Sequence, residues 1–494
     1  MQLSGFVYLS PVADTSLPNV RALADPKFQV LIGILLDRGA RRVFRAERLP
    51  VTSYKNSKPL LNTPPQLDRR PNSMIQRIFR VVASPSCAFL LLFPTIGFYT
   101  LSAYANKITP DSNIGAIVIR VGSLIVLFLS ISRVPRAMRH HFFPALMPAA
   151  LFLFFYSFRL LDNMLLLGIE IAPGNIQVLQ IFFSTLVASF LLAQVEHTLR
   201  DEDLTLLMSA FTFLFLLGML LNFDQLSATA GYRLQLQKIN PISLSYVCSS
   251  IIIYYIVYWG SSRRILIEFA IAFPALITII ALAQSRGMMI STVVTLIVYV
   301  LALKGTQRIF VLISLCGGAL IISLYIAPEM AARMLQALER IDPNTDMSTA
   351  GRVLSFNGAW DQFLKDPVFG RYAIELQTNF YPHNIYLEAL MAVGLFGGVP
   401  FGLHVALAFR ASVGLIRARD KSRAQVFVAL LFIRSAVGTA SSGSLYGSSG
   451  FWISSFIVIA MWYWKQRRSI TSVRRMLIPT NTRSRPILAS GPAK

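Results

Sequence analysis

A chain of 494 residues that is 54% hydrophobic and 14% charged, with mean hydropathy +0.57, carries far more apolar side chain than a water-soluble core of its length would enclose. The surplus must face lipid, which excludes a soluble globular enzyme. A formal charge of +23 invites nucleic acid as a partner, but the Lys and Arg punctuate the ends of apolar runs and form no basic stripe interleaved with aromatics, so nucleic acid is excluded too.

From the N-terminus, residues 1–73 are polar and rich in Pro and Arg. Their one apolar stretch, Phe28 to Leu36, is too short to span a bilayer, and the composition predicts a basic, disordered extension. Met74 is an alternative natural start, because Ile-Gln-Arg-Ile-Phe-Arg follows it as a basic flank for a first span. Residues 74–464 then form a multi-span membrane domain. Apolar runs of the length that crosses roughly 30 Å of hydrocarbon lie at about 83–105, 114–132, 142–158, 176–195, 204–222, 241–259, 265–284, 288–303, 309–327, 384–409, 426–440 and 451–464. The expected fold class is all-α: a polytopic protein of about twelve transmembrane helices with one long loop carrying short helices. Residues 465–494 are a basic tail suited to anionic lipid. Cys87, Cys248 and Cys316 fall inside apolar segments without C-x-x-C spacing or a nearby His, so a metal site is not expected.

The connections alternate in charge. Arg133, Arg136 and Arg139, then Arg263 and Arg264, then Lys304 and Arg308, then Arg417, Arg419, Lys421 and Arg423, then Lys465, Arg467 and Arg468 all fall on one side when twelve crossings are counted. The positive-inside rule makes that side the cytoplasm, which puts both termini inside and the loop 328–382 outside.

That loop is too long for a simple connection and invites a functional reading. Met334, Leu335, Leu338 and Ile341 fall at helical spacing. A second helix is expected from about Thr349, with Arg352 in its first turn, Val353, Phe356, Trp360 and Phe363 on one face, and Asp366-Pro367 as its stop. Asn384 is a candidate N-cap for the next span, which places His383 beside free amide donors and the positive end of a helix dipole, a berth for phosphate and a proton acceptor near neutral pH. Gln284-Ser285-Arg286-Gly287 is a short break between two spans, and Arg286 there presents a planar fork suited to phosphate oxygens. Arg233 stands in another outer connection, and Arg159 and Asp162 flank the outer end of the third span. Each has a plainer alternative. Arg286 can snorkel to headgroups, His383 can be an ordinary interfacial residue, Arg352 can pair with an acid such as Asp361, and Arg159 and Asp162 can satisfy each other.

Taken in order, Ser285-Arg286-Gly287, then Gly351-Arg352 with Trp360 and Pro367-Val-Phe-Gly370, then His383-Asn384-Ile-Tyr-Leu387 and Gly394-Leu-Phe-Gly397, the pattern resembles the O-antigen ligase and O-antigen polymerase family of bacterial envelope glycan assembly. The resemblance implies a metal-independent glycosyltransferase with no cofactor, resident in the inner membrane with its site facing the periplasm. It takes a glycan from an undecaprenyl diphosphate carrier and joins it to an acceptor glycan or a lipid A core. It further implies that Arg286 and Arg352 hold diphosphate, that His383 is the base or orienting group, and that Arg233, Arg159 and Asn384 bind substrate. Polymerase is slightly favoured over ligase, since no core-binding site is marked. A transporter or exporter of lipid-linked glycan, or a non-enzymatic assembly protein, are the rival readings. A transporter would place ionisable residues at the midplane of matched halves, and no such repeat is evident.

The topology predicts that reporter fusions at Arg136, Arg264 and Lys421 read cytoplasmic and a fusion at Asn344 reads periplasmic. An inside signal at Asn344 would remove the loop from the side where lipid-linked glycans are processed.

Overall fold

The computed structural model describes residues 87–108, 143–171, 174–195, 199–222, 234, 239–303, 305, 308–309, 311–312 and 347–477. By internal contacts the chain divides into Met1–Arg69 and Arg70–Lys494, and the first unit lies wholly outside the described residues. The second, where described, is helical, and an isolated bridge joins Glu375 and Phe380.

In chain order the helices are α1 (Cys87–Leu92), continued through a π turn into α2 (Phe98–Ile108), then α3 (Phe143–Leu161), α4 (Asn175–Val195), α5 (Asp201–Leu221), α6 (Pro241–Tyr258), α7 (Arg263–Ala283), α8 (Arg286–Ala302), α9 (Met347–Lys365), α10 (Ile385–Arg417), α11 (Arg423–Gly438) and α12 (Ser449–Leu477). Among the described residues seven segments are long and apolar enough to cross a membrane, and α8 is a shorter apolar helix. Helices also stand at the expected spans 426–440 and 451–464, as α11 and α12. The expected span 114–132, the expected span 309–327 apart from residues 309, 311 and 312, the amphipathic stretch 334–341, and Arg233 lie outside the described residues.

Local chemistry sets the boundaries. Asn240 caps α6 by accepting from Ser243 N at 2.7 Å ahead of a first-turn Pro, and Ser422 and Gln425 form a reciprocal capping box at α11. α11 is apolar and buried on nearly every face, between α6, α8, α10 and α12. Around it, Phe154, Phe158, Phe213, Ile271, Ile297 and Phe396 point outward, each half or more exposed, as lipid-facing side chains do.

Two ends result. At one, Asp201 Oδ1 accepts from Tyr258 Oη and from Ala424 N, both at 2.6 Å, and Lys465 pairs with Asp420 at 2.8 Å. At the other, the starts of α6, α8 and α10 meet the end of α11, and Ile385 N donates to Thr439 O at 3.2 Å.

The helix that organises this second end is broken. Within α10, Gly394 leaves helical geometry at φ 57°, ψ −160°, which frees four backbone groups that a membrane helix cannot leave bare. The segment after α9 supplies partners for three of them. Leu395 N and Phe396 N donate to the carbonyls of Pro367 and Val368 at 2.8 and 2.9 Å, while Met391 O accepts from Arg371 N at 3.2 Å. The fourth group, Ala392 O, accepts from Arg159 Nε at 3.0 Å. Gly370, at φ 61°, abuts the break closely enough that a Cβ there would sit 2.6 Å from the backbone of Met391, Ala392 and Gly394. A Cβ on Gly394 would in turn strike the carbonyl of Val368. Both positions therefore require glycine on steric and on dihedral grounds.

The Asp366-Pro367 stop is observed, and Arg352 does lie in the opening turns of α9. The expected face of α9 is corrected in part. Phe363 turns inward, 8% exposed, whereas Val353, Phe356 and Trp360 remain 43–44% exposed. Ser355 and Ala359 line the inward side beside Phe363, and at Gly358 a Cβ would strike the Glu375 carboxylate, so the approach to Glu375 is made by small residues. Gly394→Ala should destabilise the fold by roughly 2 kcal/mol or more, from left-handed backbone strain plus the clash, read as a lowered melting temperature in detergent with normal synthesis.

Candidate active site at the α8, α9 and α10 starts

Gln284 turns the chain at φ 49° between α7 and α8, so Arg286 opens α8 at the surface of the second end. Its Nη2 donates to Thr349 Oγ1 at 3.0 Å, which joins α8 to the first turn of α9. Gly287 faces the segment after α11, where a Cβ would strike Ser441 Oγ. Arg352 follows Thr349 by three residues, on the same side of α9.

His383 immediately precedes α10. Asn384 caps that helix, its Oδ1 accepting from Tyr386 N at 3.0 Å and Leu387 N at 3.1 Å, as expected from sequence. His383 itself takes the left-handed conformation at φ 57°, a strained backbone for a side-chain-bearing residue, and Gly443 N donates to its carbonyl at 3.4 Å. The imidazole lies against Tyr381, ring centres 4.6 Å apart, and Nδ1 is buried without a hydrogen-bond partner among the described residues. Burial, reinforced by the positive charge of Arg352, lowers its pKa to about 4. The ring is therefore neutral at physiological pH, with a lone pair available. Tyr381 is raised from its ordinary value by burial and by the Glu388 carboxylate, with Arg352 opposing.

Structure thus brings Arg286, Arg352, His383 and Asn384 to one locus. Arg159 is placed elsewhere. Its Nη1 pairs with Asp162 at 2.8 Å, its Nη2 donates to Gly370 O at 2.8 Å, and its Nε serves the helix break. Every arm of that guanidinium is engaged, Nη2 holding the 367–370 segment, and neighbouring Asn163 extends the grip by accepting from Ala373 N at 2.7 Å.

Sequence marks Arg434 as an arginine inside a membrane segment that needs a buried partner, without identifying that partner, and gives no sign of Glu388. Glu388, fully buried one turn into α10, accepts from Tyr156 Oη at 2.7 Å and Leu445 N at 2.9 Å, so it ties α3 and the α11–α12 connection to the site. Arg434, also fully buried, donates through Nη1 to Tyr246 O, Ser249 Oγ and Ser250 Oγ at 2.6–2.8 Å and stacks 3.8 Å over the Tyr246 ring. The available signal was the run of Ser and Gly from Thr439 to Gly450, too small in side chain for a lipid-facing segment.

Fold and locus define a polytopic α-helical membrane protein with two guanidinium groups and a neutral imidazole gathered at one end of its bundle. Residues 270–402 match the family model for O-antigen ligase (Wzy_C). The matched segment contains Arg286, Arg352, His383 and both glycines of the α10 break. No curated protein matches the chain.

The depressed histidine pKa fixes a sign for pH dependence. Unfolded His383 takes up a proton near 6.5, while the folded group stays neutral down to about 4. The unfolded state therefore binds more protons in that window, and stability falls as pH falls through it. Melting curves from pH 7 to 4 should show His383→Gln losing less stability than the wild type, and Arg352→Gln should move the His383 titration upward.

Proposed function

We propose that this protein transfers a glycan from an undecaprenyl diphosphate carrier to an acceptor sugar at the periplasmic face of the bacterial inner membrane, with polymerisation favoured over ligation to lipid A core. The observation that carries the reading is the convergence of Arg286, Arg352 and His383 where α8, α9 and α10 meet. The basic clusters Arg263-Arg264, Lys421 to Arg423 and Lys465 to Arg468 lie at the opposite end, which supports a cytoplasmic assignment for that end and a periplasmic one for the site. The outward apolar residues of α9, Val353, Phe356, Trp360 and Leu364, suit a helix lying at the lipid boundary, where a lipid-borne diphosphate would arrive. About twelve crossings and the periplasmic loop 328–382 belong to the same proposal.

In the chemistry this arrangement supports, an acceptor hydroxyl attacks the anomeric carbon of the carrier-linked sugar. The bond from that carbon to the diphosphate oxygen breaks, and undecaprenyl diphosphate departs with the electron pair. His383, neutral and beside the locus, accepts the hydroxyl proton. Arg286 and Arg352 meet the charge that accumulates on the leaving diphosphate, where a guanidinium fork matches two phosphate oxygens at once. Asn384 positions His383 by capping α10. Arg159 positions the loop, and Arg233 is kept as a candidate contact to substrate.

Reconstitution with carrier-linked glycan tests this at equal membrane abundance of each variant. Arg286→Lys should lose roughly 1 to 3 kcal/mol of transition-state stabilisation, since it keeps charge but loses the fork. His383→Ala should fall by roughly 10²- to 10⁴-fold with carrier binding retained. Normal transfer by His383→Ala would show the imidazole to be a bystander. Product analysis with a second carrier-linked repeat or with lipid A core as acceptor separates polymerase from ligase.

A further inference from the structure

Beside the cationic locus lies a cavity of about 270 Å³ with a different chemistry. Its wall is built from the α11–α12 connection, the start of α6, and Tyr99, Tyr246, Tyr381 and Tyr446, and among the described residues no Asp, Glu, Lys, Arg or His lines it. Serine and threonine hydroxyls and the Asn240 amide supply its polar surface, and tyrosine rings supply its flat apolar surface. Ser435 is the informative member. It is 3% exposed, lines the cavity, and its Oγ has no hydrogen-bond partner among the described residues. A buried hydroxyl without a partner is destabilising, and a ligand hydroxyl entering the cavity would relieve that cost.

The walls are held in place from behind. Glu388 fixes Leu445 N, Trp452 Nε1 donates to Leu445 O at 2.7 Å, and Arg434 anchors the Tyr246 backbone. Gly450 passes so close to Tyr246 Oη that a Cβ would collide with it, so the connection lies flat against the ring. Tyr381 borders the cavity and packs edge-on against His383, which places the chamber next to the imidazole.

We propose that this chamber seats a neutral sugar residue. An uncharged wall offers nothing to offset the desolvation of a diphosphate, whereas hydroxyls paired with aromatic faces match the polar rim and apolar C–H faces of a pyranose. The assignment rests on the glycan-transfer reading and extends it to residues outside the matched family segment.

The test uses the full chain in lipid nanodiscs with two probes. One is the oligosaccharide released by mild acid from the source cell's own surface polysaccharide, and the other is sugar-free undecaprenyl diphosphate. Ser435→Ala removes an unpartnered hydroxyl, so it should melt no lower than the wild type yet bind the oligosaccharide roughly three- to tenfold more weakly. Ser442→Trp, on a half-buried wall position, should fill the chamber and abolish oligosaccharide binding while diphosphate binding stays unchanged. Equal oligosaccharide affinity in wild type and Ser442→Trp, or weakened diphosphate binding in that variant, would overturn the proposal. Binding is read without turnover, so a failure of the transferase reading shows separately, as an inactive wild type that still binds oligosaccharide. In an active preparation, Ser442→Trp raising KM for the acceptor assigns the chamber to the acceptor sugar, and raising KM for the carrier-linked substrate assigns it to the donor sugar.

Discussion

A membrane helix that stops being a helix must find new partners for the backbone groups it releases, and in this protein that requirement shapes the whole site end. The break at Gly394 is answered by carbonyls of Pro367 and Val368, by Arg371 N and by Arg159 Nε. Because those partners come from α3 and from the segment after α9, the break welds three elements that would otherwise touch only through side chains. α9 cannot move far from α10 while this clasp is closed. Since α9 carries Thr349 and Arg352, the clasp also sets where the guanidinium groups stand relative to His383.

This arrangement explains why Pro367-Val-Phe-Gly370 and Gly394-Leu-Phe-Gly397 occur together. They are the two faces of one contact, reinforced by the Phe369 and Phe396 rings at 5.3 Å. Neither motif touches the expected chemistry directly. Their requirement is steric, two glycine backbones in left-handed geometry approaching where no Cβ fits.

The site itself divides by charge. Arg286 and Arg352 stand where α8 and α9 come together, the imidazole is held neutral beside them, and among the described residues the serine-lined chamber beyond Tyr381 has no Asp, Glu, Lys, Arg or His in its wall. A lipid diphosphate and a sugar hydroxyl need opposite surroundings, one cationic and one neutral with donors and acceptors. Burial of His383 next to Arg352 serves both. It keeps the ring unprotonated in the empty site, and an arriving diphosphate would partly offset the positive charge and strengthen the base.

The sequence by itself determined membrane insertion, the helical class, the boundaries of α8, the start of α10 and the Asn384 cap, because hydrophobic run length, charge punctuation and capping are local properties read within a few residues. It also singled out Arg286, Arg352 and His383, since cations and an imidazole are conspicuous among apolar runs. It could not tell that Arg159, equally conspicuous, is spent on a helix break more than two hundred positions away. Nor could it show that Phe363 turns inward beside Ser355 and Ala359, or that Glu388, Arg434 and the Thr439–Gly450 run frame a chamber. Those outcomes depend on which backbone groups lack partners once the helices pack, and only the tertiary structure decides that, because such a vacancy and the residue that fills it are separated in the chain and meet only in space.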